Sequence, residues 1–358
     1  MKISACRAVL FLLGLSFVSG AIYAQSDASG TLLVLSKHDH TLSIVDPSNL
    51  RVIARVPVGH DPHEVIASSD GKTAYVSNYG FGAYHTLAVV DLVDHKALPS
   101  IDLGALRGPH GLTFVGGKTW FTAEGAKAIG RYDPATGKID LILGTGQNRT
   151  HMIWVSADQH HIVTTNVSSG TVSMIDWEAV PMPGPPPGMG PPPGMQRGPG
   201  MRRPGPPGPR MGWNETVVRV GNGSEGFDVS PNGKEIWVAN AQDGTISVID
   251  FHAEKVVETI AANVRGANRL KFTPDGRWVL VSSGPDLVVL NAETRKVVRR
   301  IAIGHGSAGV LVQPDGARAF VSCGPDNYVA VIDLHSWKVV GHIDAGGEPD
   351  GLAWAVRR

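Results

Sequence analysis

The sequence predicts an all-β protein, a seven-bladed β-propeller of four-stranded antiparallel blades whose ring closes by pairing N-terminal strands with the C-terminal strand. Three observations predict it. One phrase recurs seven times, as Leu42-Ser43-Ile44-Val45-Asp46, Leu87-Ala88-Val89-Val90-Asp91, Ile129-Gly130-Arg131-Tyr132-Asp133, Val172-Ser173-Met174-Ile175-Asp176, Ile246-Ser247-Val248-Ile249-Asp250, Leu287-Val288-Val289-Leu290-Asn291 and Val329-Ala330-Val331-Ile332-Asp333. Its spacing of roughly 40 to 45 residues marks an array of like supersecondary units. Each phrase is flanked by β-rich runs and tight-turn residues, and the first and last units are incomplete in complementary ways.

Within a unit the strands follow in order. The first is an apolar run entering a turn, as in Val65-Ile66-Ala67-Ser68 before Asp70-Gly71, or Leu270-Lys271-Phe272-Thr273 before Pro274-Asp275-Gly276. Asp-Gly and Asn-Gly supply the positive φ that tight hairpins need. The second strand follows at once, as in Ala74-Tyr75-Val76-Ser77-Asn78 and Ala319-Phe320-Val321-Ser322-Cys323. The third is the repeated phrase, whose terminal Asp can bond the backbone of the next turn, as at Asp46-Pro47-Ser48-Asn49. The fourth is rich in Val and Ile, as in Lys255-Val256-Val257-Glu258-Thr259-Ile260. At the ends, Thr31 to Ser36 reads as a second strand and Gly351 to Ala355 as a first, so pairing them completes a blade.

Lys2 and Arg7 precede an apolar run from Ala8 to Val18 and small residues up to Ala24, the pattern of a secretory signal peptide. Cleavage is expected near Ala24, with Ala21 as the alternative, which places the mature chain in the periplasm or outside the cell. No later stretch of about 18 apolar residues follows, so no membrane span is expected. Neither a twin arginine nor a cysteine at the cut points to folded export or a lipid anchor. The 32 basic and 32 acidic residues balance, and the leader removes two cations and no acids. Such a chain has no general electrostatic pull toward nucleic acid or anionic membrane. Cys6 leaves with the leader, so Cys323 cannot form an internal disulfide, and stability must come from packing and strand pairing. A monomer is expected.

One spacing breaks the rule: Asp176 to Asp250 is 74 residues. Residues 181–213 hold 13 prolines and 9 glycines with no acid, a composition that cannot bury a core or hold a ladder. The chain therefore reads as a signal peptide (1–24), a first part of the propeller (25–180), a disordered or polyproline-like insertion between third and fourth strands (181–213), and a second part closing the ring (214–358). The insertion carries Met182, Met189, Met195, Met201 and Met211 with Arg197, Arg202, Arg203 and Arg210. Thioethers can bind Cu(I) and arginines can engage acidic surfaces; a plain tether is the simpler reading.

Gly59-x-x-Pro62-His63, Ser69-Asp70-Gly71-Lys72, Tyr75-Val76-Ser77-Asn78 and Val89-Val90-Asp91, echoed by Trp237-Val238-Ala239-Asn240 with Ser247-Val248-Ile249-Asp250, closely resemble the YVTN-repeat seven-bladed β-propeller family. The resemblance covers essentially the whole chain after the leader. That family and its structural relatives include extracytoplasmic binding proteins, lactonase-like hydrolases and the propeller domains of copper and haem reductases, so the resemblance implies a fold and leaves the chemistry open.

In such a blade the loop entering the first strand and the loop between second and third strands emerge on one face, around the central channel. Aligning the units puts His63, His110, His151, Glu225, Asn268, Ala308 and Asp350 at one position where the innermost strands begin. The same rim is expected to gather Asn78, Glu124, Asn166, Asn240 and Cys323 from the second-strand ends, with His38, His40, His60, His85 and His305 in its loops. His63, His110 and His151, from three successive blades, could bind zinc, copper or iron with nearby carboxylates. They could also serve as general acid or base. The bland alternative is that Pro-His-Gly simply starts an inner strand of such a repeat and the imidazole bonds a neighbouring blade.

Other motifs dissolve. Asp70-Gly71-Lys72-Thr73 lacks the upstream glycine of a phosphate loop. His305-Gly306-Ser307-Ala308-Gly309 lacks the glycine two residues before its serine that a nucleophile elbow needs. No Cys-x-x-Cys-His is present, so no covalent c-type haem is expected. Two classes remain. One is a non-catalytic binding propeller that holds a small molecule, cell-envelope component or protein partner at the rim. The other is a metal-dependent enzyme, lactonase-like or linked to copper or haem redox chemistry, centred on the rim histidines.

Overall fold

The computed structural model describes residues 30–180 and 210–356, and within them the chain forms seven four-stranded antiparallel sheets. Blade 1 closes the ring, with Pro349–Val356 paired to Gly30–Ser36, followed by Thr41–Asp46 and Arg51–Pro57. Leu32 stands opposite Trp354 and Leu33 opposite Ala353, the pairing expected from the two incomplete ends. Blades 2 to 7 take four strands each in chain order, beginning with Pro62–Ala67, Pro109–Val115, Thr150–Val155, Ser224–Val229, Ala267–Phe272 and Val310–Val312. These first strands touch one another in a closed cycle that includes Pro349–Val356, so they line the axis.

Burial follows from that placement. Second and third strands are sandwiched between neighbouring blades, and in Glu235–Asn240 and Thr245–Asp250 every interior position is buried. Their Val, Ile and Leu therefore pack on both faces, each contributing about 1.5–3 kcal/mol relative to exposure. Leu33, Leu35 and Ile44 of blade 1 meet Val65, Val76 and Val90 of blade 2, and Trp237 and Val248 of blade 5 meet Leu270 and Val281 of blade 6. Fourth strands face solvent on one side, so Arg51–Pro57 alternates between exposed and partly buried.

The terminal Asp of the repeated phrase acts as expected. Asp46 accepts from the Ser48 amide at 2.9 Å and Asp333 from the Ser336 amide at 2.6 Å. The turn then ends on a left-handed residue, such as Leu50 (φ 61°) or Trp337 (φ 56°), and a β-bulge follows in six blades. Blade 4 departs from this. Asp176 instead meets His161 Nδ1 at 2.5 Å, and the hairpin runs on without a bulge as Thr171–Val180 paired to Arg210–Arg219.

Of the stretch 181–213, residues 181–209 lie outside the described residues, as does the leader, and Arg210 to Trp213 belong to the strand. Two physical reasons account for this. Beyond Pro209 every residue has an amide to donate, and Trp177 and Trp213 stand opposite one another with ring centroids 5.2 Å apart, a cross-strand aromatic pair that prolongs the ladder. No helix among the described residues is long and apolar enough to cross a membrane.

Candidate functional site

Six of the seven innermost strands carry a β-bulge at the same place, between their first and fourth residues, as at Pro62 and Val65 or Pro109 and Leu112. A bulge re-aims side chains, and here the re-aimed residues are the mouth positions. His63, His110, His151, Glu225, Asn268 and Asp350 each stand second in their strand, while Ala308 precedes the short, unbulged strand of blade 7. The bulged strands approach closely. A Cβ on Gly111 would lie 2.5 Å from the His151 carbonyl oxygen, and one on Gly351 would lie 2.4 Å from that of His63. Hydroxyls of the second strands pin the neighbouring mouth residue: Thr122 donates to the His151 carbonyl at 2.6 Å, Thr165 to that of Glu225 at 2.8 Å and Ser322 to that of Asp350 at 2.7 Å.

Two further repeat positions feed the mouth. The residue just before each bulged strand is left-handed in six blades, and glycine fills it at Gly108, Gly223 and Gly266. Asp61 (φ 48°), Arg149 (φ 60°) and Glu348 (φ 49°) hold the same conformation at about 1–2 kcal/mol each. The second position is the residue after each second strand. Pro62 pairs with Asn78, Pro109 with Ala123, Thr150 with Asn166 and Ser224 with Asn240. Glu124 is therefore the counterpart of Tyr79, one residue beyond the asparagine position.

Because strand side chains alternate, that one-residue difference decides their surroundings. Asn78 Nδ2 donates to the Val58 and His60 carbonyls of the connection from blade 1 at 2.9 and 3.0 Å, while Asn166 Nδ2 donates to Thr171 and Ser173 and Asn240 Nδ2 to Thr245 and Ser247 inside their own blades. Glu124 joins the histidines instead.

His151 is 1 % exposed, with Nδ1 2.5 Å from Glu124 Oε1 and Nε2 2.9 Å from Glu225 Oε1. Tyr79 donates its hydroxyl to Glu124 Oε2 at 2.6 Å, and Arg149 approaches Glu124 at 3.5 Å and Glu225 at 3.6 Å. The His110 ring lies 3.8 Å from that of His151 and 5.0 Å from that of His63. His110 Nδ1 is buried without a hydrogen-bond partner. His63 faces Asp61 at 3.1 Å and Asp350 at 3.3 Å, and Asp350 also takes Lys37 at 3.2 Å. One residue deeper, Arg269 of blade 6 reaches across the channel to Glu64 of blade 2 in a buried ion pair, while its Nη1 donates to Asn268 Oδ1 at 2.8 Å.

The protonation preferences follow from this packing. Burial, then the charges of His151, His63, Arg269 and Arg149, push the His110 imidazole well below its ordinary value, so it is neutral. Burial alone would lower His151 too, but Glu225 and Glu124 outweigh it and raise the value. Glu225 shows the reverse balance: burial favours its neutral form, yet His151, Arg149 and Arg269 bring it down to about 2.

The remaining predicted rim residues lie apart from this cluster. His85 is tied to Asp102 at 2.8 Å and His305 to Asp326 at 2.5 Å, both exposed, and His40 meets His60 at 3.3 Å. Cys323 is fully buried with Sγ 3.4 Å from the Ile303 carbonyl, and burial pushes its thiol up to about 11. Two surface grooves, at the seams of blades 1 and 2 and of blades 4 and 5, bring none of these histidines together. Reading the charges at Asp61, Arg149 and Lys37 from sequence would have required the two extra repeat positions, and those at Glu64 and Arg269 a third, the residue after the mouth position, where other blades have Gly111, Gly226 and Gly351. The signal was a charged residue standing where other blades have glycine.

No family model and no curated protein matches the chain. Solved structures match its architecture. A functionally unknown protein of Desulfotomaculum acetoxidans superposes with a TM-score of 0.71 at 15 % identity over 92 % of this chain and 100 % of the other. Hydrazine synthase of Kuenenia stuttgartiensis does so at 0.65 and 17 % identity, over 85 % and 92 %. A candidate 6-phosphogluconolactonase of Bacteroides uniformis gives 0.65 at 14 % identity, over 91 % and 99 %. The chain is a seven-bladed β-propeller. At these identities the likeness is one of fold, and what the propeller does must be read from its own mouth.

Proposed function

We propose that this chain is an extracytoplasmic binding propeller of the YVTN-repeat type, exported by residues 1–24, that holds a compact polar ligand in its channel mouth. The observation that supports the reading most is the use of Asp61 and Arg149 at a left-handed position where three other blades have glycine. Both side chains enter the histidine cluster, and backbone strain kept at one place is a mark of a working site. The Arg269–Glu64 pair bars the channel beneath the cluster, which favours a small molecule over a threaded polymer or peptide. Paired carboxylates, guanidinium and imidazole offer both donors and acceptors to such a ligand.

Native mass spectrometry of the protein released from its own compartment tests this. The wild type is expected to carry a small mass that is lost on denaturation and absent from Arg149→Ala. Bare chain mass for both proteins overturns the reading, and N-terminal sequencing that starts at Met1 overturns the export. A second reading, a metal-dependent hydrolase or redox protein, draws on one observation, the grouping of His110, Glu124 and His151. A rate above background on a lactone or a redox partner, lost in His110→Ala, would favour it.

A further inference from the structure

We propose that His110, Glu124 and His151 bind one divalent transition-metal ion of the zinc or copper(II) class in the channel mouth. The site lies inside the mouth assigned above to a ligand and rests on that reading.

Three observations carry it. First, one ligand-capable atom from each of the three side chains lies within 4.8 Å of the other two, and all three residues are buried. Tetrahedral bonds of about 2.0–2.1 Å put ligand atoms roughly 3.3–3.4 Å apart. Atoms standing near the 4.8 Å limit would therefore close by up to about 1.5 Å, while His151 Nδ1 and Glu124 Oε1, now 2.5 Å apart, would open to admit the ion. Second, His110 Nδ1 is buried and has no partner, although buried polar nitrogens are nearly always satisfied. Its ring is flanked by those of His151, His63 and Tyr79, with centroids 3.8, 5.0 and 5.2 Å away.

Third, the charges of the mouth do not cancel. Asp61, Glu64, Glu124, Glu225 and Asp350 face Lys37, Arg149 and Arg269. Five carboxylates outnumber the three fixed cations, so the mouth carries an excess of negative groups that favours a cation.

The donor set selects the ion. Two imidazoles and a carboxylate suit borderline metals. Magnesium and calcium call for all-oxygen shells, and Cu(I) calls for sulfur, whereas Cys323 is buried in blade 7 against the Ile303 carbonyl. His63, although third in the row of imidazoles, is not one of the three residues whose ligand-capable atoms come together, so Glu124 supplies the third ligand. Tyr79, Arg149 and Glu225 touch Glu124 and His151 and would hold the ligands in orientation, as outer partners of metal sites do.

Isothermal titration of the full mature chain, stripped with a chelator, tests the site with zinc, copper(II), magnesium and calcium chlorides in separate arms. The wild type is expected to bind one equivalent of zinc or copper at the mouth, lost in His110→Ala and His151→Ala and kept in His85→Ala. Glu124→Gln, which removes a direct ligand, is expected to weaken binding by more than the roughly 10–100-fold typical of losing an outer partner. Since His151→Ala could misfold, His110→Gln, which orphans no hydrogen-bond partner, is measured beside it with circular dichroism of the metal-free proteins. Absence of zinc and copper binding by the wild type overturns the inference, as does full stoichiometry in the folded His110 variants or equal binding of magnesium. If metal is absent while native mass spectrometry still finds a small organic mass, the metal inference fails and the binding reading stands.

Discussion

The two arcs of the channel mouth share one backbone and differ in everything attached to it. In blades 2 to 4 the mouth position is His63, His110 and His151, and the residues around it include Asp61, Tyr79, Glu124 and Arg149. In blades 5 to 7 the mouth position is Glu225, Asn268 and Ala308, and glycine or alanine takes most of the supporting places, as at Gly223, Gly266, Ala241 and Gly284. Bulges recur in both arcs, so the geometry that could aim a side chain into the channel is general. The mouth imidazoles are confined to one side, and the other arc adds Glu225 and Arg269 to them.

The largest effect should come from the element on which both arcs depend. Truncating the chain before Pro349 removes the strand that pairs with Gly30–Ser36 and carries Asp350. The inner cycle then opens and the apolar seam between blades 1 and 2 is exposed. Loss of a cooperative thermal transition is expected; a melting temperature equal to that of the full chain would contradict ring closure.

Next comes the link that joins the arcs. Arg269→Ala leaves Glu64 buried without its cation, which should cost about 3–5 kcal/mol in urea unfolding. The double variant Arg269→Met, Glu64→Leu should recover most of that loss, because replacing both partners of a buried pair with apolar groups is often neutral. If the single variant unfolds with the parent, the pair does not bar the channel.

How much of this could be read from the residues alone depends on the range over which each feature is encoded. The blade is local: a turn, an apolar run and an Asp at fixed spacing specify four strands, and the seven repeated phrases found all of them. Asp176 shows the limit, since its turn is replaced by a long hairpin that Trp177 and Trp213 prolong. The mouth histidines were legible because they share one repeat position. Glu124 was aligned with Asn78, but the register places it one residue further, and with a period of two that is the difference between the blade interior and the channel. Arg269 and Glu64 meet 205 residues apart, a contact made by closure of the ring and written in no local pattern.

A smaller effect separates the two uses of the left-handed position. Glu348→Gly relieves a non-glycine conformation worth about 1–2 kcal/mol, against roughly 0.5–1 kcal/mol of added freedom in the unfolded chain, so a net gain of up to about 1.5 kcal/mol is expected. Arg149→Gly obtains the same relief but loses its approaches to Glu124 and Glu225, and its net change should be less favourable than that of Glu348→Gly. Equal gains in the two variants would mean that Arg149 contributes nothing to the mouth.

The smallest effect lies on the outer half of blade 3 and calibrates the others. Lys118 bridges Asp133 and Asp140, and Arg131 Nε meets Asp140 at 2.6 Å. Burial alone would raise the Asp140 value, but Arg131 and Lys118 outweigh it and lower it. A carboxylate whose folded value lies below its unfolded one contributes stability that is present above the unfolded value and lost as pH falls through the folded one. Asp140→Asn should therefore lower stability at neutral pH by about 1 kcal/mol or less, the range of partly exposed pairs, and the deficit should shrink to nothing in acid. Urea unfolding at several pH values reads this directly, and a deficit that persists unchanged at low pH would show that the aspartate acts through packing rather than charge. Since this belt shares a blade with His110, its acid response is the background against which any pH dependence of the histidine arc must be measured.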